Sequence, residues 1–189
     1  MRLVIAVMLL VEFVLPSWAI AAGTIFSSQY DDLIRAAVKR YWLDYPDWLE
    51  WKAQLYQESR LDPNAVSSVG AQGLAQFMPA TWQDIERTLG YGAVSRKLAG
   101  PAIEGGAYYM MSLRKQWSSR RSTDDRQWLA QASYNAGIGS LLDAQKACGA
   151  PVTYGEIIVC LPGITGQSNA QQTSDYVARI WQWRAMLKD

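Results

Sequence analysis

The C-terminal end of the chain carries an apolar stripe with helical spacing. Tyr176, Ile180, Trp183 and Leu187 recur at intervals of four, three and four residues, which places them on one face of an amphipathic helix. Similar patterns recur along the chain, whereas the alternation typical of strands is weak. The patterns predict helices at 31–42, 46–58, 101–117, 126–136 and 173–187, another that begins at 78–81, and a short one after 139.

Two stretches depart from a purely helical pattern. Residues 64–74 are rich in Ser and Gly and could hold a small hairpin. Gly105 and Gly106 lie inside the predicted helix 101–117, where each Gly costs ~1 kcal/mol relative to Ala, so we expect another element to pack closely there. No internal repeat or long linker is present. We therefore predict one α+β domain over residues 23–189, mostly α with a minor β element.

Composition narrows the chemistry that this chain can perform. Half of its 189 residues are hydrophobic, which is enough for a packed core. The chain has no His, which excludes Ser-His-Asp machinery and His-ligated metals. Its net charge of +1 gives no reason to expect nucleic acid, and no glycine-rich phosphate-binding motif indicates a nucleotide cofactor. Proton chemistry would have to come from Asp, Glu, Tyr or Lys. Nine Trp and ten Tyr suit both a core and a carbohydrate-binding surface.

The N-terminal segment has the layout of a secretory signal peptide. A basic start is followed by an apolar run that is too short to span a bilayer, and then by small residues around Ala21. We predict a signal peptide at residues 1–22, cleaved near Ala21 or Ala22, and a periplasmic or secreted protein. Glu12 interrupts the apolar segment and leaves a retained inner-membrane anchor as the alternative.

Export gives the two cysteines an oxidising environment. Cys148 and Cys160 enclose eleven residues with a loop-like composition. A disulfide that closes a loop of this length stabilises the fold by roughly 3 kcal/mol. We predict this bridge; the alternative is a pair of buried thiols.

Glu58 is the acidic residue that stands out. On a helical wheel over 47–59 it falls about 20° from Trp51, at the margin of the apolar arc. A carboxylate there is partly desolvated, which raises its pKa and suits it to act as a general acid. The alternative is an ordinary exposed Glu, paired with Arg60 or Lys52. The opposite face of the wheel is polar: Asp47, Glu50, Gln54 and Gln57.

Four sequence blocks after and around Glu58 resemble those of the soluble lytic transglycosylase family, the SLT domain. The first is Glu58-Ser59 followed by 63–67, and the second is the Gly-Leu-Ala-Gln-Phe-Met-Pro stretch at 73–79. The third is Ser-Tyr-Asn-Ala-Gly at 133–137, and the fourth is Thr-Ser-Asp-Tyr-Val at 173–177. The blocks occur in family order over nearly the whole predicted domain.

The resemblance implies a lysozyme-like fold and cleavage of the β-1,4 bond between N-acetylmuramic acid and N-acetylglucosamine in peptidoglycan. Glu58 would be the single catalytic acid and base, closing a 1,6-anhydro ring without water. No cofactor or metal is implied. The implied substrate-binding residues are Ser67, Gln76, Phe77, Met78, Tyr134, Asn135 and Tyr176, with Tyr176 bonded to the Glu58 carboxyl. The implied supporting residues are Ser59, Gly73 and Gly137. The alternative for Ser67 is a turn cap, and the alternative for the two tyrosines is a place in the core.

Two other functions remain compatible with the sequence. If Asp62 or Asp175 reaches the far side of the scissile bond, the protein would be a hydrolase resembling goose-type lysozyme. A binding protein that has lost its chemistry is the other alternative. The expected partner is the peptidoglycan glycan strand, the expected state is a monomer, and a secretion or conjugation apparatus or a phage lysis system are alternative contexts.

Overall fold

The computed structural model describes residues 26–187, and the predicted signal peptide lies outside this range. Within it the chain forms nine helices and no extended strand. The helices are α1 Asp31–Tyr41, α2 Trp48–Ser59, α3 Pro79–Leu89, α4 Ala99–Gln116, α5 Thr123–Ala136, α6 Ile138–Ala147, α7 Tyr154–Ile158, α8 Pro162–Thr165 and α9 Gln167–Met186. In the part of the chain so described, no helix is long and apolar enough to cross a membrane.

All of the helices expected from periodicity are present, but several begin earlier than predicted. Helix α9 begins six residues before Thr173. The sequence pattern missed these residues because they are mostly polar and carry no apolar stripe. Helix α5 begins at its cap, where the Ser122 side chain accepts from the Asp125 N–H. The short α7, which the sequence pattern did not predict, begins with a capping box between Thr153 and Glu156. A polar first turn or a cap leaves no hydrophobic period, so periodicity alone underestimates these helices.

Helix α2 is buried on nearly every side, which corrects the expected division into an apolar and a polar face. Trp51 and Leu55 are fully buried, as predicted, but Glu50, Gln54 and Gln57 on the other side are buried as well. Helix α9 packs along that side in the antiparallel direction. Hydrogen bonds between side chains join this polar face to other helices, from Gln131 to Glu50 and from Trp183 to Gln57.

Two hydrophobic clusters meet at α2. The first packs α1, α3 and α4 against the side of α2 that carries Trp51. The second packs residues from α5 through α9 around Ala53 of α2. The C-terminal end of α2, which carries Glu58, lies between a tyrosine of each cluster. These are Tyr134, packed against the first, and Tyr176, a member of the second.

The glycine pair of α4 is explained by close packing, as predicted. A methyl group at Gly106 would collide with the indole of Trp51, and one at Gly105 would lie 2.9 Å from Cγ2 of Ile85 and 3.2 Å from the ring of Trp82. These approaches bring α4 against α2 and α3.

The predicted minor β element is confirmed, although it is smaller than a regular hairpin. Two isolated antiparallel bridges pair Val66 with Gln72 and Gln72 with Phe77. The predicted disulfide is also present: Cys148 at the end of α6 is joined to Cys160 after α7, with a Cα–Cα distance of 5.9 Å. The alternative of two buried thiols is therefore wrong.

Candidate active site

Glu58 lies in the last turn of α2, and local interactions fix where that helix ends. Arg60 adopts the left-handed conformation, with φ 56°, and terminates the helix. The Ser59 hydroxyl lies 3.2 Å from the carbonyl oxygen of Leu55 and 3.0 Å from that of Leu74. Ser59 thus ties the end of the helix to the segment 64–78, and its supporting role in the site remains a prediction.

The Glu58 carboxyl group is partly withdrawn from solvent and has one hydrogen-bond donor. The Tyr176 hydroxyl donates to Glu58 Oε1, as the sequence resemblance implied. Burial raises the pKa of Glu58 to about 8, against an opposing, smaller effect of the hydrogen bond from Tyr176. At neutral pH the carboxyl group therefore holds its proton and can serve as an acid.

No cation neutralises Glu58 within residues 26–187. Lys52 Nζ lies 2.6 Å from Asp31 Oδ1, and the Arg60 guanidinium stacks over aromatic rings of α2 and α9, 4.6 and 4.7 Å from their centroids. Both cations proposed as alternative partners are thus engaged elsewhere. The structure favours the withdrawn acid over a salt-bridged surface Glu.

Neither Asp proposed as a second carboxylate acts on Glu58. Asp62 Oδ1 accepts from the Asn64 N–H at 2.8 Å and shapes the exposed turn after α2. Asp175 Oδ1 accepts from the Gln171 side chain at 2.9 Å on the surface of α9. The shift in the pKa of Glu58 comes from burial and Tyr176 alone. The described part of the chain therefore presents a single acid at this site.

Tyr134 approaches Glu58 from the other side. Its hydroxyl donates to the carbonyl oxygen of Ala75 at 2.7 Å, and its ring packs against Tyr109 with a centroid separation of 5.3 Å. Burial, and then the negative charge of Glu58, raise the pKa of the Tyr134 hydroxyl well above its ordinary value. Both tyrosines therefore stay neutral, and the negative charge of Glu58 contributes to the raised pKa of each hydroxyl.

The segment 64–78 is held by its own side chains. Gln76, at φ 47°, donates from Nε2 to the carbonyl oxygens of Gly73 at 2.9 Å and Ala65 at 3.3 Å. The Ser67 hydroxyl accepts from the Ala71 N–H at 2.9 Å. Gly73, at φ 78°, has no room for a Cβ against the carbonyl of Arg96. The turn-cap alternative for Ser67 is present in the structure, while substrate contacts by Ser67 and Gln76 remain predictions.

Phe77 and Met78 occupy different environments. The Phe77 ring is 2% exposed and packs against Trp82 and Tyr134. It therefore supports the site from behind, a position that does not favour the predicted contact between this ring and substrate. Met78 is partly exposed and caps α3, so a substrate contact there remains a prediction.

The third and fourth sequence blocks meet through Asn135. Thr173 Oγ1 donates to Asn135 Oδ1 at 2.9 Å, which locks the end of α5 to α9. Gly137, at φ 83° and ψ 136°, then allows the chain to turn directly from α5 into α6. The Thr173 contact holds Asn135 in place, while the supporting role of Gly137 and a substrate contact by Asn135 remain predictions.

Gln54 is a neighbour of the site that sequence reasoning placed only on the polar face of α2. It is fully buried one helical turn before Glu58, and its Nε2 lies 3.4 Å from the sulfur of Met110. Against the larger raising effect of burial, Gln54 lowers the pKa of the Tyr176 hydroxyl. Its spacing of four residues from Glu58 was the available signal, because positions i and i+4 share a helix face.

The helical fold and the partly buried Glu58 carboxyl group, which has no cation partner within residues 26–187, define a lysozyme-like protein with one acidic residue at its site. A family model described as "Transglycosylase SLT domain" matches residues 36–154. The chain belongs to this transglycosylase SLT domain family.

Known relatives and solved structures agree with this assignment. The chain is 31% identical over 155 residues to membrane-bound lytic murein transglycosylase F of Maricaulis maris, covering 75% of this chain and 33% of the relative. The same-named protein of Yersinia enterocolitica is 29% identical, with 75% and 31% covered. The chain thus spans about a third of the length of these relatives.

Two solved structures share the fold. The 70 kDa soluble lytic transglycosylase of Escherichia coli has a TM-score of 0.67 and 22% identity, over 85% of this chain and 24% of that one. An inactive Glu-to-Gln mutant of the lytic transglycosylase Slt of Pseudomonas aeruginosa has a TM-score of 0.62 and 26% identity, over 83% and 24%. The lysozyme-like, mostly helical fold expected from the sequence is confirmed.

Proposed function

We propose that this protein is an exported peptidoglycan lytic transglycosylase, with Glu58 as its only catalytic acid and base. The observation that carries the proposal is the carboxyl group itself. It has a pKa of about 8 caused by burial, one phenolic donor and no neighbouring carboxylate among residues 26–187 that shifts it. A general acid at a glycosidic oxygen must hold its proton at the working pH.

The reaction needs one group to act twice. Glu58 gives its proton to the glycosidic oxygen as the bond to C1 of the muramyl residue breaks. The 6-hydroxyl of the same sugar then bonds to C1, and the Glu58 carboxylate takes up the proton that this hydroxyl releases. The nucleophile belongs to the substrate and acts at a high effective concentration, so no second carboxylate is needed.

Tyr176 supports both halves of this cycle. Its O–H group points at Oε1, where negative charge develops once Glu58 has given up its proton. A donor aimed at developing charge in a site that is partly shielded from water stabilises the transition state.

The comparisons support the substrate as well as the fold. The relatives are named lytic murein transglycosylases, and the Pseudomonas enzyme is inactive when a Glu is replaced by Gln. A wall substrate also agrees with the predicted signal peptide and with the disulfide, which is typical of exported proteins. We infer a periplasmic or wall-associated site of action.

The test is to digest purified peptidoglycan sacculi with the protein and with its Glu58→Gln variant. Mass spectrometry of the wild-type products should show 1,6-anhydromuramic ends. These ends are lighter than hydrolysed ends by one water molecule, roughly 18 Da. The variant should bind sacculi and release nothing. Reducing ends would identify a hydrolase instead, and binding without release by the wild type would identify a non-catalytic protein.

A further inference from the structure

A basic groove lies at the end of α2 opposite to Glu58. It consists of two neighbouring cavities, of about 610 and 290 Å³, which share Leu43 in the loop between α1 and α2. Leu43 is 81% exposed, more than any other large hydrophobic residue in the described range. Neither cavity includes a residue of the proposed active site.

The charge of the groove is one-sided. Its lining contains six basic residues and one acid, Asp44, although the whole chain has 18 basic and 17 acidic residues. The basic residues are Arg35, Lys39, Arg40, Arg114, Lys115 and Arg126. Such a concentration of cations raises the local concentration of an anionic partner.

Some of these cations have no carboxylate partner inside the protein. Two of the six are paired within the protein: Arg114 with Asp44 at 2.7 Å and Arg40 with Glu104 at 2.6 Å. Within residues 26–187, Lys39, Lys115 and Arg126 form no salt bridge. Arg114 is 2% exposed and lines the larger cavity, yet its Nε atom has no hydrogen-bond partner. Because this Nε atom is itself inaccessible, an anionic ligand in the larger cavity would meet the exposed Lys115 and the partly exposed Arg126 instead.

The smaller cavity has a different character. Its lining includes the apolar side chains of Val38, Trp42, Pro46 and Trp48, with two of the basic residues at its edge. The groove therefore offers a cationic depression followed by an apolar one, separated by the exposed Leu43 side chain.

We propose that this groove binds an extended acidic segment of a partner protein, which places its carboxylates in the larger cavity and an apolar side chain in the smaller one. The complementary charge and the order of the two cavities select this occupant. Arg–carboxylate pairs would fix its register, and the site leaves Glu58 free to act on glycan.

The test uses a fluorescein-labelled twelve-residue peptide of alternating Asp and Glu that ends in Leu and Phe, titrated with the purified protein by fluorescence anisotropy. Lys115→Glu should weaken binding about threefold to tenfold, because a reversed charge replaces an attraction by a repulsion. Leu43→Ser should weaken it about threefold or more. Added salt should weaken it as well.

Matched controls separate this groove from general charge effects. Lys146→Glu and Val159→Ser change an exposed cation and an exposed apolar residue elsewhere, and both should leave binding within about twofold. All four residues are exposed, so circular dichroism should show unchanged folding. Amide chemical-shift changes in the wild-type protein should cluster around 38–48 and 111–126.

The proposal is overturned if a basic peptide of equal length binds as well, or if the control variants lose as much affinity as the groove variants. It is also overturned if Lys115→Glu abolishes binding to phosphatidylglycerol vesicles but not to the peptide, which would identify a lipid surface. Concentration-dependent dimerisation that Leu43→Ser removes would identify a second copy of this chain as the occupant.

Discussion

Replacing Tyr176 by Phe removes the one hydrogen bond that reaches the Glu58 carboxyl group within residues 26–187. Tyr176 is 4% exposed, and Phe has the same shape without the hydroxyl, so the packing of α9 against α2 should survive. The bond favours the charged form of Glu58 and lowers its pKa. Its loss must therefore raise the pKa of Glu58 above the value of about 8 in the wild type.

The size of the shift follows from the strength of such bonds. A hydrogen bond to a charged group is worth about 1.5–3 kcal/mol, and one pKa unit corresponds to about 1.36 kcal/mol. The pKa should rise by roughly one to two units. The same bond stabilises the carboxylate that forms when Glu58 gives up its proton, so turnover should fall about tenfold to a hundredfold.

The assay is the pH dependence of sacculus solubilisation, measured from pH 5 to 10 as kcat/KM for the wild type and the variant. Activity should decline at alkaline pH as the acid form of Glu58 is lost, and in Tyr176→Phe this decline should begin at higher pH. Tyr154→Phe, a change of a half-buried tyrosine on α7, is the control and should leave the profile unchanged. An alkaline limb that stays in place, or moves to lower pH, in Tyr176→Phe would refute the reasoning.

Three further changes test the fold and the site. The folded state holds the Glu58 proton more tightly than the unfolded state does, so stability should fall as pH rises from 4.5 to about 8. Glu58→Gln removes this dependence and should therefore raise Tm at pH 8 more than at pH 5. Equal changes in Tm at the two pH values would contradict this. Gly106→Ala should destabilise by about 1–3 kcal/mol in urea unfolding because its methyl group meets a buried indole, whereas Gly139→Ala in open space should be neutral or stabilising. Replacing Cys148 and Cys160 by Ser should lower the free energy of unfolding by about 2–4 kcal/mol, and reductant should affect only the wild type.

The sequence predicted those parts of the fold that depend on local patterns. The stripe at Tyr176 and Ile180 predicted the core of α9, and the cost of Gly105 and Gly106 predicted a close helix approach that the structure contains. The true start of α9 lies outside the stripe, because polar helical turns have no periodic signal. Capping interactions, which determine such ends, depend on geometry that a pattern of apolar residues does not encode.

The burial of the polar face of α2 could not be predicted from one helix alone. On a helical wheel Glu50 falls on the polar face and is expected to be solvated, yet it is 3% exposed. It accepts a hydrogen bond at 2.7 Å from Nε2 of Gln131, which lies 81 positions away in the sequence. Burial raises the pKa of Glu50 to about 7. Whether a polar helix face meets water or another helix is decided by long-range packing, which periodicity does not contain.

The candidate site was predictable in part for the same reason. The position of Glu58 at the margin of an apolar arc indicated partial desolvation, and burial in the folded protein raises the pKa of Glu58 accordingly. The Tyr176 contact came from the family resemblance, because it joins residues 118 positions apart. The buried position of Phe77 was not predicted, since a sequence block shows which residues are near a site but not which way each side chain points.

The central claim is that Glu58 holds a proton at neutral pH, and a direct titration tests it. The protein would be labelled with ¹³C at the Glu side-chain carboxyl carbons, and the Glu58 resonance assigned by its absence in Glu58→Gln. Its chemical shift should change with a midpoint near pH 8, well above the ordinary value of 4.5. A midpoint below 5 would mean that the carboxyl group is already ionised at neutral pH and cannot be the acid that starts the reaction.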